Sequence, residues 1–203
     1  MRHINRKATP KVVDGQVQKK NNSERSPGYY DTPPPALVID RQRPGKGYQH
    51  VLMQQDIETF IGLLPEWNEL SKGLNAIVLA PGHRQYFGYH TPGVVHICAW
   101  NAELWLRYRE NEVGLDKNLP VFRRLGVPCE PDESGYIHCE FNPSTVRAFQ
   151  LLDVMLHELG HHHDRMTTKS KVRASRGEPY AEAYALRHEA VIWERYQEAF
   201  GVF

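Results

Sequence analysis

The chain has 203 residues, 40% of them hydrophobic and 24% charged, enough for one packed domain with a tail and too apolar for wholesale disorder. No run approaches the ~18 consecutive apolar residues of a membrane span. No apolar stretch follows the charged residues 1–7, as a secretory signal requires. The net charge of +1 argues against a domain built to bind polyanions as a whole.

Residues 1–35 differ from the rest. They carry seven Lys or Arg against Asp14, Glu24 and Asp31, a local charge of +4 that leaves −3 for the remainder. They lack apolar periodicity and end in Pro33-Pro34-Pro35, so a disordered basic arm with a stiff proline end is expected. Such an arm has the charge to contact nucleic acid or an acidic partner. With only Tyr29 and Tyr30 to stack on bases, a solvated tail is the favoured reading.

The folded body, residues 36–203, opens with a strand over residues 36–39. Ile57, Phe60, Ile61 and Leu64 follow the i, i+3, i+4, i+7 pattern of an amphipathic helix, with Asp56 as N-cap and Pro65 as its end. Residues 76–80 read as a second strand. Residues 86–89 and 94–100 read as a hairpin around Thr91-Pro92-Gly93. Residues 101–112 are ambiguous, and Leu104, Trp105 and Tyr108 fit a helix face. Residues 113–134 read mostly as loop, and 136–141 as a strand. Asn142-Pro143-Ser144 is a helix start with Ser144 as cap. Phe149, Leu152, Leu156 and Leu159 then mark one apolar face of a helix to about residue 166. A polar, basic connector leads to a last helix that starts near Glu178-Pro179. The expectation is an α+β fold: a small mixed or antiparallel sheet packed on these two C-terminal helices.

Cys98, Cys129 and Cys139 are an odd count without Cys-x-x-Cys spacing. Reduced, buried thiols in a cytoplasmic protein are expected.

The chemistry lies in the first C-terminal helix, which contains His157-Glu158-Leu159-Gly160-His161. Four residues advance a helix by ~400°, so both imidazoles share one face, about 40° apart. Two neutral imidazoles so placed can bind one tetrahedral zinc ion. Glu158 lies ~100° round, where a carboxylate can take a proton from a zinc-bound water. A third ligand is needed. Glu178 stands at the start of the next helix, 17 residues beyond His161, and a helical hairpin can bring it back. Glu182, one turn on, is placed to accept the free N–H of a ligand histidine. Asp164 is far for a ligand and better placed for a bond to His161. His162 and His163 fall off the metal face.

With these residues the chain resembles the gluzincin zinc metallopeptidases, the broad thermolysin-like group, in minimal single-domain form. The likeness is carried by H-E-L-G-H and the later E-P-Y-A-E-A-Y-A, and covers residues 150–190. It implies Zn²⁺ held by His157, His161 and Glu178, Glu158 as general base, and a peptide or protein substrate. It further implies an edge strand that holds the substrate backbone, for which residues 94–99 or 136–141 qualify. It also implies an oxyanion donor, for which His188 and Tyr180 are candidates beside Tyr184 and Arg187. The metzincin extension is missing: Asp164 and Thr167 stand where it needs glycine and histidine. The rival expectation is a zinc-bearing regulatory or toxin-like protein that binds a partner and has little general peptidase activity.

Overall fold

The computed structural model describes residues 12–13, 16–17, 28–109, 114–169 and 176–201. In chain order, β1 (Val12–Val13) and β2 (Gln16–Val17) pair as a short antiparallel ribbon. A 3-10 turn at Gly28–Tyr30 precedes β3 (Val38–Arg41) and β4 (Tyr48–Gln49). There follow α1 (Gln54–Leu63), α2 (Trp67–Leu70), β5 (Ala76–Ala80), β6 (Gly88–Thr91) and β7 (Val94–Cys98). Next come β8 (Trp100–Asn101), β9 (Trp105–Arg109), α3 (Leu115–Arg124), β10 (Cys129–Pro131) and β11 (Tyr136–Glu140). The chain closes with α4 (Pro143–Ala148), a π-helical stretch Phe149–Met155, α5 (Leu156–Thr167) and α6 (Gly177–Phe200). The fold is α+β, as expected. No described helix is long and apolar enough to cross a membrane.

The main sheet has the order β3-β5-β7-β6. The first three strands are parallel, and β6 adds antiparallel at the edge. β5 and β7 are buried along their whole length, which is why β5 reads as a continuous apolar run and β7 as one interrupted only by His96. Ile77, Leu79, Val95 and Ile97 face the large core shared with the helices. Ala76, Val78, Ala80 and Val94 face the other side, where Tyr29 covers them. The Tyr29 hydroxyl donates to Asp40 at 2.7 Å. The folded body therefore begins before residue 36. Tyr29 buries an aromatic ring on this second face of the sheet, and a burial of that size contributes roughly 2 kcal/mol. Of the expected arm, residues 1–11, 14–15 and 18–27 lie outside the described residues.

A second sheet, β10-β11-β9, is antiparallel throughout. Cys129 and Cys139 are direct cross-strand partners and form a disulfide, leaving Cys98 as a buried free thiol. This corrects the expectation of three reduced cysteines: two of them are paired by register, a long-range fact that spacing does not reveal. Residues 105–109 are strand β9 and not helix. Residues 115–124 are helix α3 and not loop, despite Pro120 inside it.

Two caps also differ from expectation. Asp56 sits three residues into the α1 boundary and accepts from the Met53 N–H at 2.7 Å. At α4 the cap is Asn142, whose side chain accepts from Thr145 N at 2.9 Å while its own N–H donates to Thr145 Oγ1 at 2.9 Å. This reciprocal pair satisfies two backbone donors at once and leaves Ser144 without the role.

Candidate active site

The segment from Pro143 to Thr167 is one continuous helical run, since the junction residues Phe149 and Leu156 both keep right-handed helical angles. Its middle is π-helical, and six of its seven residues are buried: Phe149, Gln150, Leu151, Leu152, Val154 and Met155. Such stretches recur beside functional sites, where they re-aim the residues that follow. Here they deliver His157, Glu158 and His161 into a cleft of about 660 Å³.

α5 and α6 pack side by side, and Gly160 marks the crossing. A Cβ at Gly160 would lie 2.8 Å from the Ala181 Cα, so glycine is what lets the two backbones approach. The approach carries Glu178 back to the histidines. His157 Nε2 and His161 Nε2 are 3.1 Å apart. Glu178 Oε2 lies 3.2 Å from His157 Nε2, and Oε1 lies 3.1 Å from His161 Nε2. Among the described residues this is the one trio of His, Cys, Asp or Glu able to share a metal ion. Donors on a tetrahedral zinc with bonds of ~2.1 Å are separated by about 3.4 Å, so the observed spacings fit after a shift of a few tenths of an ångström. The donor set, two imidazoles and a carboxylate, is a zinc-type set. Burial and the neighbouring His161 hold the His157 imidazole below the usual histidine range, which favours the neutral form that ligates.

Glu158 lines the same cleft and is 8% exposed. Burial pushes its carboxyl up to about 8, the charge of Glu178 adds to the rise, and Lys117 opposes it. The opposite wall is the segment ending in β6. Gly88 touches the helix beneath: a Cβ there would meet Val154 Cγ1 at 2.5 Å and Glu158 Cγ at 3.2 Å. Among the described residues β6 is one of the two edge strands of the main sheet, with β3, and it is the one that borders the cleft. This differs from both candidate edge strands read from the sequence, since β7 and β11 each lie between two neighbours. The hairpin pattern identified two strands but could not say which one had the outer side.

Other expected site residues go elsewhere. Glu182 contacts Lys117 Nζ at 2.8 Å and not a ligand histidine. Asp164 is fully buried and accepts from Arg176 N at 2.9 Å, Arg176 Nε at 2.6 Å and Gly177 N at 3.1 Å, where a bond to His161 was expected. Burial alone would raise the Asp164 pKa, but these donors outweigh it and hold the carboxylate below its ordinary range. Arg176 stands at the end of the polar, basic connector. Of that connector, residues 170–175 lie outside the described ones. His188 Nδ1 is 2.9 Å from Tyr184 O, and the Tyr180 hydroxyl is 2.6 Å from His163 Nδ1. Neither His188 nor Tyr180 is among the residues that line the cleft. His162 is buried with Nε2 2.9 Å from Lys72 O.

The cleft also holds Lys117, Arg165 and His90, none of which the sequence pattern singled out. Lys117 Nζ lies 3.7 Å from Glu178 Oε2. It belongs to α3, whose Leu115, Leu119 and Phe122 stand at i, i+4 and i+7 and could have revealed the helix. Gly88, an isolated glycine in a strand pattern, was a readable sign of close backbone approach. The chain matched no protein-family model, no curated protein and no solved structure.

Proposed function

We propose that the protein is a zinc-dependent metallopeptidase of the gluzincin type, acting on peptide or protein substrates. The observation that carries this reading is the meeting of His157, His161 and Glu178 at 3.1–3.2 Å in the cleft that Glu158 and the free edge of β6 share. A zinc ion in that site supplies Lewis acidity, which lowers the pKa of water and polarises a carbonyl. The chain's own residues do the rest. His157 and His161 offer neutral nitrogen, and Glu178 offers the balancing charge. Glu158, buried in the same cleft beside the trio, is the carboxylate placed to accept a proton from water and return it to a leaving amine. The unpaired edge of β6 offers backbone N–H and C=O groups to an extended peptide, laying its carbonyls along the cleft floor. Lys117 brings an ammonium to the same place, where negative charge develops on a carbonyl oxygen during hydrolysis.

The compartment bears on this reading. The cytoplasmic setting expected from the sequence requires Cys129 and Cys139 to be reduced, whereas their disulfide favours an oxidising one.

The test is metal content by elemental mass spectrometry on untagged protein, joined to a peptide-hydrolysis assay. Wild type is expected to hold one zinc per chain and Glu178→Ala much less. Glu158→Gln is expected to keep its zinc and lose turnover. A wild-type chain that takes up no added zinc sinks the proposal.

A further inference from the structure

We infer that Asp164 is a positioning residue for Glu178: its carboxylate sets the start of α6 against α5, and so places the third ligand. The inference rests on the metal-centre reading above. The Glu178 side chain is 64% exposed, and its polar contacts are His157, His161 and Lys117. Whether it reaches the two histidines depends on where the backbone at the start of α6 stands. That backbone is tied down on both sides. Three residues after Glu178, Ala181 lies against Gly160, at the helix crossing. One and two residues before it, the N–H groups of Gly177 and Arg176 both donate to Asp164 Oδ2, at 3.1 and 2.9 Å. The second oxygen, Oδ1, takes Arg176 Nε at 2.6 Å.

Asp164 belongs to the same helix as the two histidines, one turn beyond His161. Its carboxylate therefore measures the offset between the two ligand-bearing helices directly. Arg176 widens the clamp: it also donates to Thr167 Oγ1 on α5, and its guanidinium sits 3.7 Å from the Tyr180 ring centre on α6. The first backbone donors of any helix need partners. Here they find one carboxylate on the neighbouring helix in place of water, so satisfying them also sets the register of the hairpin. Asp164 is fully buried, and its three hydrogen bonds engage both carboxylate oxygens with Arg176 and Gly177.

The experiment is a double-mutant cycle on the full chain, with zinc ion as the probe and affinity read by competition with a chelator. Asp164→Ala is expected to weaken zinc binding about tenfold or more, the usual loss when a residue orienting a ligand is removed. Asp164→Asn, which keeps one accepting oxygen for the Gly177 N–H, is expected to recover part of the loss. In a Glu178→Ala background, Asp164→Ala is expected to cost nothing further, because the residue it positions is gone. Full affinity in Asp164→Ala, or an equal loss in both backgrounds, overturns the inference while leaving the metal centre standing. No zinc uptake by wild type overturns both. Should Asp164→Ala fail to fold by circular dichroism, Arg176→Ala, which removes the guanidinium arm from an exposed position, is read in the same cycle by the same criteria.

Discussion

At the scale of single residues, His96 shows how burial sets a titration. It is 1% exposed, on β7, with its ring stacked 4.0 Å from that of Tyr89. Nδ1 lies 3.2 Å from Tyr89 O and Nε2 2.8 Å from the Tyr30 hydroxyl, a set that suits the neutral imidazole with its proton on Nδ1. Burial pulls its pKa down to about 4, against a backbone hydrogen bond that raises it. The unfolded chain takes up this proton below about 6.5, the folded chain only below about 4, so the unfolded state binds more protons in between. Stability from this group is therefore whole above pH 6.5 and falls as pH drops toward 4, by roughly 3 kcal/mol at most. Urea unfolding of wild type and His96→Gln at pH 7.5 and pH 4.5 measures it. The wild type should lose more stability across that interval than the variant, and equal losses would show that His96 is not the titrating group. Glu158 shows the same physics with the opposite sign, a buried carboxyl pushed up to about 8. The His and Glu of the motif were legible because their spacing is a local, helical property. The fates of Asp164 and Glu182 were not, because each is decided by a partner elsewhere in the chain: Arg176 and Gly177 for one, Lys117 for the other.

At the scale of elements, the α5–α6 pair is the structural unit behind the site. Gly→Ala inside a helix ordinarily stabilises by up to about 1 kcal/mol through propensity. At Gly160 the sign should reverse. The new Cβ would stand 2.8 Å from the Ala181 Cα and 3.1 Å from Ala181 O and Tyr184 Cβ, and backbone cannot swing aside as a long side chain can. Overpacking costs of ~1–3 kcal/mol outweigh the propensity gain. Gly160→Ala should lower the unfolding midpoint in a thermal melt and weaken zinc binding in the same variant. A variant as stable as wild type would mean that the helices separate easily. Other elements show where periodicity is a sufficient guide. β5 was recovered to the residue because five consecutive apolar side chains serve two buried faces. α3 was missed because Pro120 and a polar surface hide three apolar positions, and β9 because its burial alternates too weakly to exclude a helix.

At the scale of the whole molecule, the second sheet bears on compartment through its disulfide. Under denaturing, non-reducing conditions a thiol reagent should find one free cysteine, Cys98, per chain, and three after reduction. Three without reduction would return the chain to the reduced state its spacing suggested. The α+β class, the helix bearing His157, Glu158 and His161, and the proximity of a second helix beginning near Glu178 followed from the sequence by itself. Each rests on relations within a few residues, where helix geometry or apolar run length dictates the outcome. Tertiary structure alone decided that β6 is the edge strand beside the cleft, that Tyr29 covers the far face of the sheet, that Cys129 meets Cys139, and that Asp164 accepts from the start of α6. Those are contacts between segments distant in the chain. They are selected by which packing buries the most apolar surface and leaves the fewest buried polar groups unpaired, a condition on the whole molecule that no local window contains.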